Sequence, residues 1–206
     1  MQPHPSLKMK PERRDALFTA ATQEFTEHGF EQASLNRIIA DVGMSKSSFY
    51  HYFANKTELF QQILHQTLAP FAAISEAFEP EILDKNTFWP SILAVSQSAS
   101  QLFTAQPQVF RVGRMFHRNL AEPNGICAGM MEAPLALLTR ILEHGKVIGT
   151  IRADLPTSLL LEAAMGLGMA IDRWALEHTE NYSKAEFDAF MGKTVSLFVR
   201  VLAPED

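Results

Sequence analysis

Between Ser34 and Lys56 the chain runs S-L-N-R-I-I-A-D-V-G-M-S-K-S-S-F-Y-H-Y-F-A-N-K. Lys46, Ser47, Ser48, Tyr50 and His51 place donor-bearing side chains in one short run. Such groups hydrogen-bond to phosphate oxygens, which fix position, and to base edges, which specify sequence. The chemistry on offer is recognition of nucleic acid. Catalysis has no comparable support, because His117 and His144 have no nucleophile at a recognisable spacing.

Donors read bases only from a rigid support, and the same stretch supplies one. Phe49 and Phe53 lie four residues apart, so one helix face can anchor inward while the donors turn outward. Leu35, Ile38, Ile39 and Val42 have the spacing to pack a preceding helix against another. Ser34 and Ser45 are good N-caps, and Gly43 punctuates the junction. Two short helices, Leu35 to Val42 and Ser45 to about Tyr52, joined by a glycine-containing turn, form a helix-turn-helix. Its second helix enters the major groove.

Helical periodicity extends over nearly the whole chain, with no strand of any length. Residues up to about 6, with Pro3 and Pro5, are expected to be a disordered tail. Pro11 opens a first helix carrying Leu17, Ala20, Ala21 and Phe25, which ends at Gly29. Asn55 and Glu58 make a capping-box-like start for a fourth helix, with a kink or break expected at Pro70. Pro90, Pro107, Pro134 and Pro156 mark later starts, and Ser183 with Glu186 opens the last helix, to Leu202. The expectation is an all-α chain of about nine helices. A module spans residues 1–54, and a larger helical domain spans 55–206.

Charge supports the same division. The net charge is −5, yet residues 1–70 hold seven groups of each sign, so all the excess falls on residues 71–206. A neutral module can hold phosphate if its cations share a surface. The single cysteine, Cys127, excludes an internal disulfide framework and fits a cytoplasmic location. No stretch approaches the ~20 apolar residues of a membrane span. The seven histidines show no H-x-x-x-H, so neither a metal nor a cofactor is expected. Gly166-Leu-Gly168 is inside a helical run and lacks the third glycine of a nucleotide loop.

In the larger domain Ala163, Gly166 and Ala170 give α-helical spacing of small residues inside the apolar run Ser158 to Trp174. The final helix carries Phe187, Phe190, Met191, Leu197, Phe198 and Val201 in a broad stripe. On residues 109–120, Val109, Val112, Gly113, Phe116 and Leu120 share one face. Arg111, Arg114 and Arg118 share the other, a solvated basic face.

The run from Arg13 to Leu59 resembles the DNA-binding domain of the TetR family of regulators. The resemblance rests on L-F-T-A-A (17–21), Phe25, Gly29–Phe30, Ala33–Ser34, I-I-A-D-V-G-M-S (38–45), K-S-S-F-Y-H-Y-F (46–53) and N-K-T-E-L (55–59). G-T-I-R-A-D (149–154) resembles the family's link before its penultimate helix. Ser47 stands where the family often has Gly, and Met44 where it often has Val. The resemblance implies a three-helix DNA-binding domain followed by a ligand-binding and dimerisation domain. Tyr50, His51 and Lys56 would hold phosphates, Ser34 another at a helix N-terminus, and Ser45, Lys46, Ser47 and Ser48 would face bases. The last two helices would build a homodimer interface from Ala163, Gly166, Ala170, Phe187, Phe190, Met191, Leu197, Phe198 and Val201, matching a palindromic double-stranded operator. A small-molecule effector would bind among Trp89, Phe103, Phe116, Met165, Met169 and Trp174. Two alternatives stand beside this reading: the same fold controlled by a protein partner, and an all-helical enzyme.

Overall fold

The structure is a computed structural model describing residues 4–106, 108–120, 125–127 and 129–205. Its nine α-helices among these residues are α1 (Pro11–Gln32), α2 (Leu35–Asp41), α3 (Lys46–Tyr52), α4 (Lys56–Glu76), α5 (Phe88–Ala105), α6 (Gln108–Asn119), α7 (Glu132–Val147), α8 (Thr157–His178) and α9 (Lys184–Leu202). No strand occurs among the described residues. The chain divides into two compact units. One is Met1–Leu68 with Arg111–Ala128, the other Ala69–Phe110 with Gly129–Asp206.

The caps follow local sequence. Ser34 Oγ accepts from the Arg37 amide and Ser45 Oγ from the Ser48 amide, at 3.4 and 3.1 Å. Asn55 Oδ1 accepts from Glu58 N at 2.9 Å, while the Glu58 carboxylate reaches the Ala54 amide. The capping box of Ser183 and Glu186 is complete. Gly29 leaves helical geometry at φ 74°, ψ 165°, a region that favours glycine. The chain then resumes for one turn, so α1 bends at Gly29 instead of ending there.

The first unit is larger than the sequence module. Leu59, Phe60, Ile63 and Leu64 of α4 are buried, with Phe60 edge-on to Phe25 and Phe30 at 5.1 and 5.2 Å. The first half of α4 thus belongs to this unit's core, and the division falls at Leu68 rather than near residue 54. Helix α4 also runs through Pro70 without a break; the lost hydrogen bond is one among those of a 21-residue helix. From His4 onward the N-terminus is likewise folded, which corrects the expected tail. Residues Pro5–Lys8 form a 3-10 turn, Ser6 and Met9 are buried, and His4 bonds Glu58 at 2.9 Å and lies 5.4 Å from the Phe53 ring. The buried Met9, the His4–Phe53 ring contact and the His4–Glu58 hydrogen bond hold this short segment despite its prolines.

The second unit has two apolar clusters. Phe88, Leu142, Ile151, Leu160, Ala164 and Leu202 form one; Phe110, Leu176 and Phe187 form the other, joined by Phe103 and Met191. Helix α5 packs along α9, and Ser100 Oγ donates to Asp188 Oδ1 at 2.7 Å between them. Gly145 lets α7 meet Ile151 closely. A Cβ there would collide with Ile151 and sit 2.9 Å from Phe88 Cζ, both fully buried. Gly145→Ala is expected to destabilise the protein by about 1–3 kcal/mol through overpacking, read from urea unfolding. An unchanged midpoint would show that this contact is looser than drawn.

Candidate functional site

Helix α3 is anchored through one face. Phe49 and Phe53 are fully buried and stack at 5.4 Å. The other face carries the donors. Ser45, Lys46, Ser47 and His51 are exposed, Tyr50 is 56% exposed, and Ser48 is half-buried. The α3 N-terminus, capped by Ser45, thus presents a row of donors outward. Tyr50 rests edge-on against Phe49 at 5.4 Å, and His51 edge-on against Tyr52 at 4.8 Å. Both rings are therefore braced while their polar atoms remain free to reach a ligand.

Two residues named from sequence have other work. Lys56 Nζ donates to the carbonyls of Phe30, Ala33 and Glu31 at 2.6, 3.0 and 3.2 Å. An ammonium has three donors, and all three are committed to the last turn of α1. The charge also lies 4.6 Å above the Phe30 ring. Lys56 therefore caps the negative end of α1 and is drawn away from a phosphate role. At Ser34 the backbone amide donates to Glu24 Oε1 at 2.7 Å.

Glu24 and Arg37 were not singled out from sequence, yet they tie α1 to α2. Glu24 is buried, and Arg37 Nε donates to both carboxylate oxygens at 3.0 and 3.1 Å. That guanidinium, helped by the Ser34 amide, holds the Glu24 carboxyl below the usual range. A depressed carboxyl contributes stability at neutral pH that is lost as pH falls through its folded-state value. Thirteen-residue spacing gives no helical signal, so only the fold shows the pair. Arg118 is exposed, as its place on a solvated face requires; its Nη1 also donates to Thr26 O at 3.2 Å, and its guanidinium lies against Gly29. Two cations therefore hold the end of α1.

These assignments separate two kinds of lysine. Lys56→Met is expected to lower stability by about 1–3 kcal/mol, the range for a charged hydrogen-bond donor. The log–log salt slope of DNA binding should stay unchanged, because no phosphate contact is removed. A slope reduced by about one with stability intact would return Lys56 to the phosphate backbone.

The regulatory residues do not gather into one set. Trp89 packs on the Phe88 cluster, while Phe103 packs with Phe110 and Phe187 at 5.4 and 5.5 Å. Met165 and Met169 are half-buried on α8. Phe116 belongs to the other compact unit, edge-on to His117. Trp174 is 44% exposed, stacked on His178 at 4.6 Å and on Phe190 at 5.5 Å. It lies on the outer side of α8, one turn from Ala170, rather than in the core.

The expected interface residues also divide. Ala163, Gly166 and Ala170 share one exposed face of α8, with Leu159 and Trp174 continuing the strip. Leu197 and Val201 are exposed on α9, in line with the half-buried Phe190. Phe187, by contrast, is fully buried, and Met191 and Phe198 pack on the unit's own clusters. The sequence stripe merged two faces that are about a quarter-turn apart.

Residues 17–63 match the model of the bacterial regulatory proteins of the tetR family. That segment is similar to the DNA-binding domain of the tetR family. The match covers the helix-turn-helix and the anchored start of α4, the segment whose geometry is described above. A tetR-type domain of this kind accounts for the buried Phe49 and Phe53 beneath exposed donors. Among curated proteins, the chain is 36% identical over 68 residues to the HTH-type transcriptional repressor SCO4008 of Streptomyces coelicolor. That likeness covers 33% of this chain and 35% of the repressor, about a third of its length. The uncharacterized HTH-type transcriptional regulator YdgC of Bacillus subtilis is 23% identical over 158 residues, 76% of this chain and 77% of its own. Among solved structures, SmeT, the repressor of the Stenotrophomonas maltophilia multidrug efflux pump SmeDEF, superimposes with a TM-score of 0.69 at 16% identity. It covers 93% of this chain and 90% of its own, so the fold is shared along nearly the whole length.

No helix is long and apolar enough to cross a membrane among the described residues. No cluster of metal-ligating side chains occurs among them either.

Proposed function

We propose that the protein is a homodimeric transcriptional repressor that occupies a palindromic operator and leaves it when a small, largely apolar effector binds. The observation that carries this reading is the exposed donor row of α3 above the buried Phe49 and Phe53, inside the segment that matches the tetR model. Ser45, Lys46, Ser47 and Ser48 would meet base edges, and Tyr50 and His51 would meet phosphates. The exposed apolar strips of α8 and α9 would pair with those of a second copy, since an isologous dimer matches a two-fold operator. The effector reading is supported by the aromatic and Met-rich second unit, and SmeT has been solved in complex with triclosan. An effector acts here only by favouring a conformation whose two reading heads no longer fit the half-sites, and operator must weaken effector binding by the same factor.

The test is footprinting on DNA flanking the protein's own gene. Protection of two symmetric half-sites about one helical turn or a multiple apart is expected, and absence of any protected site would remove the reading. Within such a site Lys46→Ala is expected to relax base preference, because a lysine facing guanine contributes about 1–3 kcal/mol of discrimination. Binding-site selection on that variant should return a degenerate motif. Recovery of the wild-type motif would place Lys46 outside direct readout.

A further inference from the structure

A DNA-binding module needs cations to meet phosphates, and several cations of this one are already engaged. Arg37 is held by Glu24, Lys56 by the end of α1, and Arg14 by Asp15 at 3.6 Å. Of the seven cations before residue 70, that leaves Lys46 at the head of α3, together with Lys8, Lys10 and Arg13. The last three are exposed. Among the described residues, none pairs with their side chains or bonds to them.

The segment that carries them is fixed in place. Ser6 and Met9 are buried, whereas Lys8 and Lys10 on either side of Met9 are exposed. The Ser6 amide donates to His4 Nδ1 at 3.1 Å, and His4 Nε2 meets Glu58 Oε1 at 2.9 Å. Residues Pro5–Lys8 pack against α3, and the His4 ring lies 5.4 Å from that of Phe53, one residue beyond α3. The segment is therefore docked at the end of α3 that carries Tyr50 and His51. Arg13 follows in the first turn of α1. Lys10 and Arg13 crowd the positive end of that helix, where cations are unfavourable and Glu12 is the only acid of the first turn. Groups kept against local stability are candidates for binding. The docked segment also precedes residues 17–63, so it lies outside the stretch that matches the tetR model.

We propose that Lys8, Lys10 and Arg13 form a second set of phosphate contacts, gripping the backbone of double-stranded operator DNA beside the reading helix. Three uncommitted cations complement the charge of that backbone. Docking on α3 makes their surface continuous with the one that Tyr50 and His51 present. This rests on the DNA-binding reading above and deepens it. The contacts position the chain without specifying sequence, and they supply phosphate-binding charge that the engagement of Lys56 withholds.

The test is the salt dependence of binding to the footprinted operator and to an unrelated duplex of equal length. Fluorescence anisotropy on the full chain compares wild type with the triple variant Lys8→Gln, Lys10→Gln, Arg13→Gln. Each phosphate contact adds about 0.9 to the log–log slope, so the variant's slope is expected to be shallower by about 2–3 on both duplexes. Its affinity should fall on the order of 10²-fold at about 0.1 M salt. Binding-site selection should return the wild-type motif. The melting temperature should hold or rise, because cations leave the positive end of α1. Lys85→Gln removes an exposed cation from the other compact unit and should leave the slope unchanged. A triple variant with the wild-type slope overturns the proposal. So does Lys85→Gln if it flattens the slope as much per charge, because the effect would then be one of net charge. A changed motif overturns it too, since the segment would then read bases. If wild type binds neither duplex, the DNA-binding reading fails as well. If wild type binds both steeply and the variant binds alike, only the role of this segment fails.

Discussion

Ala170→Arg is expected to turn the protein into a monomer and to weaken operator binding by on the order of 10²–10⁴-fold. Ala170 sits in the middle of the exposed α8 strip, flanked one turn away by Gly166 and Trp174. Arginine is a good helix former and the position is open in the single chain, so the helix itself has no reason to fail. Two copies of the strip would bring two guanidinium groups together across a two-fold axis, where like charges repel and small residues no longer allow close approach. The loss of affinity follows from linkage of the two reading heads. Once one half-site is bound, the second event is intramolecular, and that advantage is worth the stated factor without any change in contacts. Sedimentation velocity at micromolar concentration reads the oligomer, and fluorescence anisotropy on the operator reads the affinity. Retained helical circular dichroism with monomer mass is the expected pair of results. A variant that stays dimeric with full operator affinity would place the interface elsewhere.

What the sequence made legible follows from the range of each signal. Caps and reading helix depend on residues three or four apart, and these were readable: Ser34, Ser45 and Ser183 cap as their types demand, and Phe49 and Phe53 are buried as their spacing requires. Helix-wide patterns were readable only in part. The broad stripe on α9 joins Phe187, which fills its own core, to Leu197 and Val201, which face outward. Hydrophobicity alone does not distinguish burial within a chain from burial against a copy. Long-range polar pairings left no trace. Glu24 with Arg37, Lys56 with the α1 carbonyls and His4 with Glu58 join residues 13 to 54 apart. Each redirects a residue that looked free for function, or orders a segment that looked loose. The family resemblance implies phosphate roles for Lys56 and Ser34, while the hydrogen bonds of Lys56 to the end of α1 and of the Ser34 amide to Glu24 became visible only in the fold.

The Phe49 side chain is where reading-helix geometry and module stability meet. It is fully buried, stacked on Phe53 and braced against Tyr50, each at 5.4 Å. Phe49→Ala removes a ring from a packed site and leaves a cavity, a change that costs about 3–5 kcal/mol. Helix α3 has only seven residues, too short to persist without its tertiary anchor. The expected result is loss of α3 order before loss of the rest of the chain. Native-state hydrogen exchange should show amides of α3 exchanging fast while those of α8 and α9 remain protected, and operator binding should vanish on every sequence alike. Phe49→Leu retains apolar volume and should recover much of the stability but bind weakly, because Tyr50 loses the ring that holds it. Tyr50→Phe separates packing from contact: it keeps the edge-on ring pair and removes only the hydroxyl, so binding should weaken with stability intact. Unchanged operator affinity in Phe49→Ala would mean that the donor row of α3 is not what the protein presents to DNA.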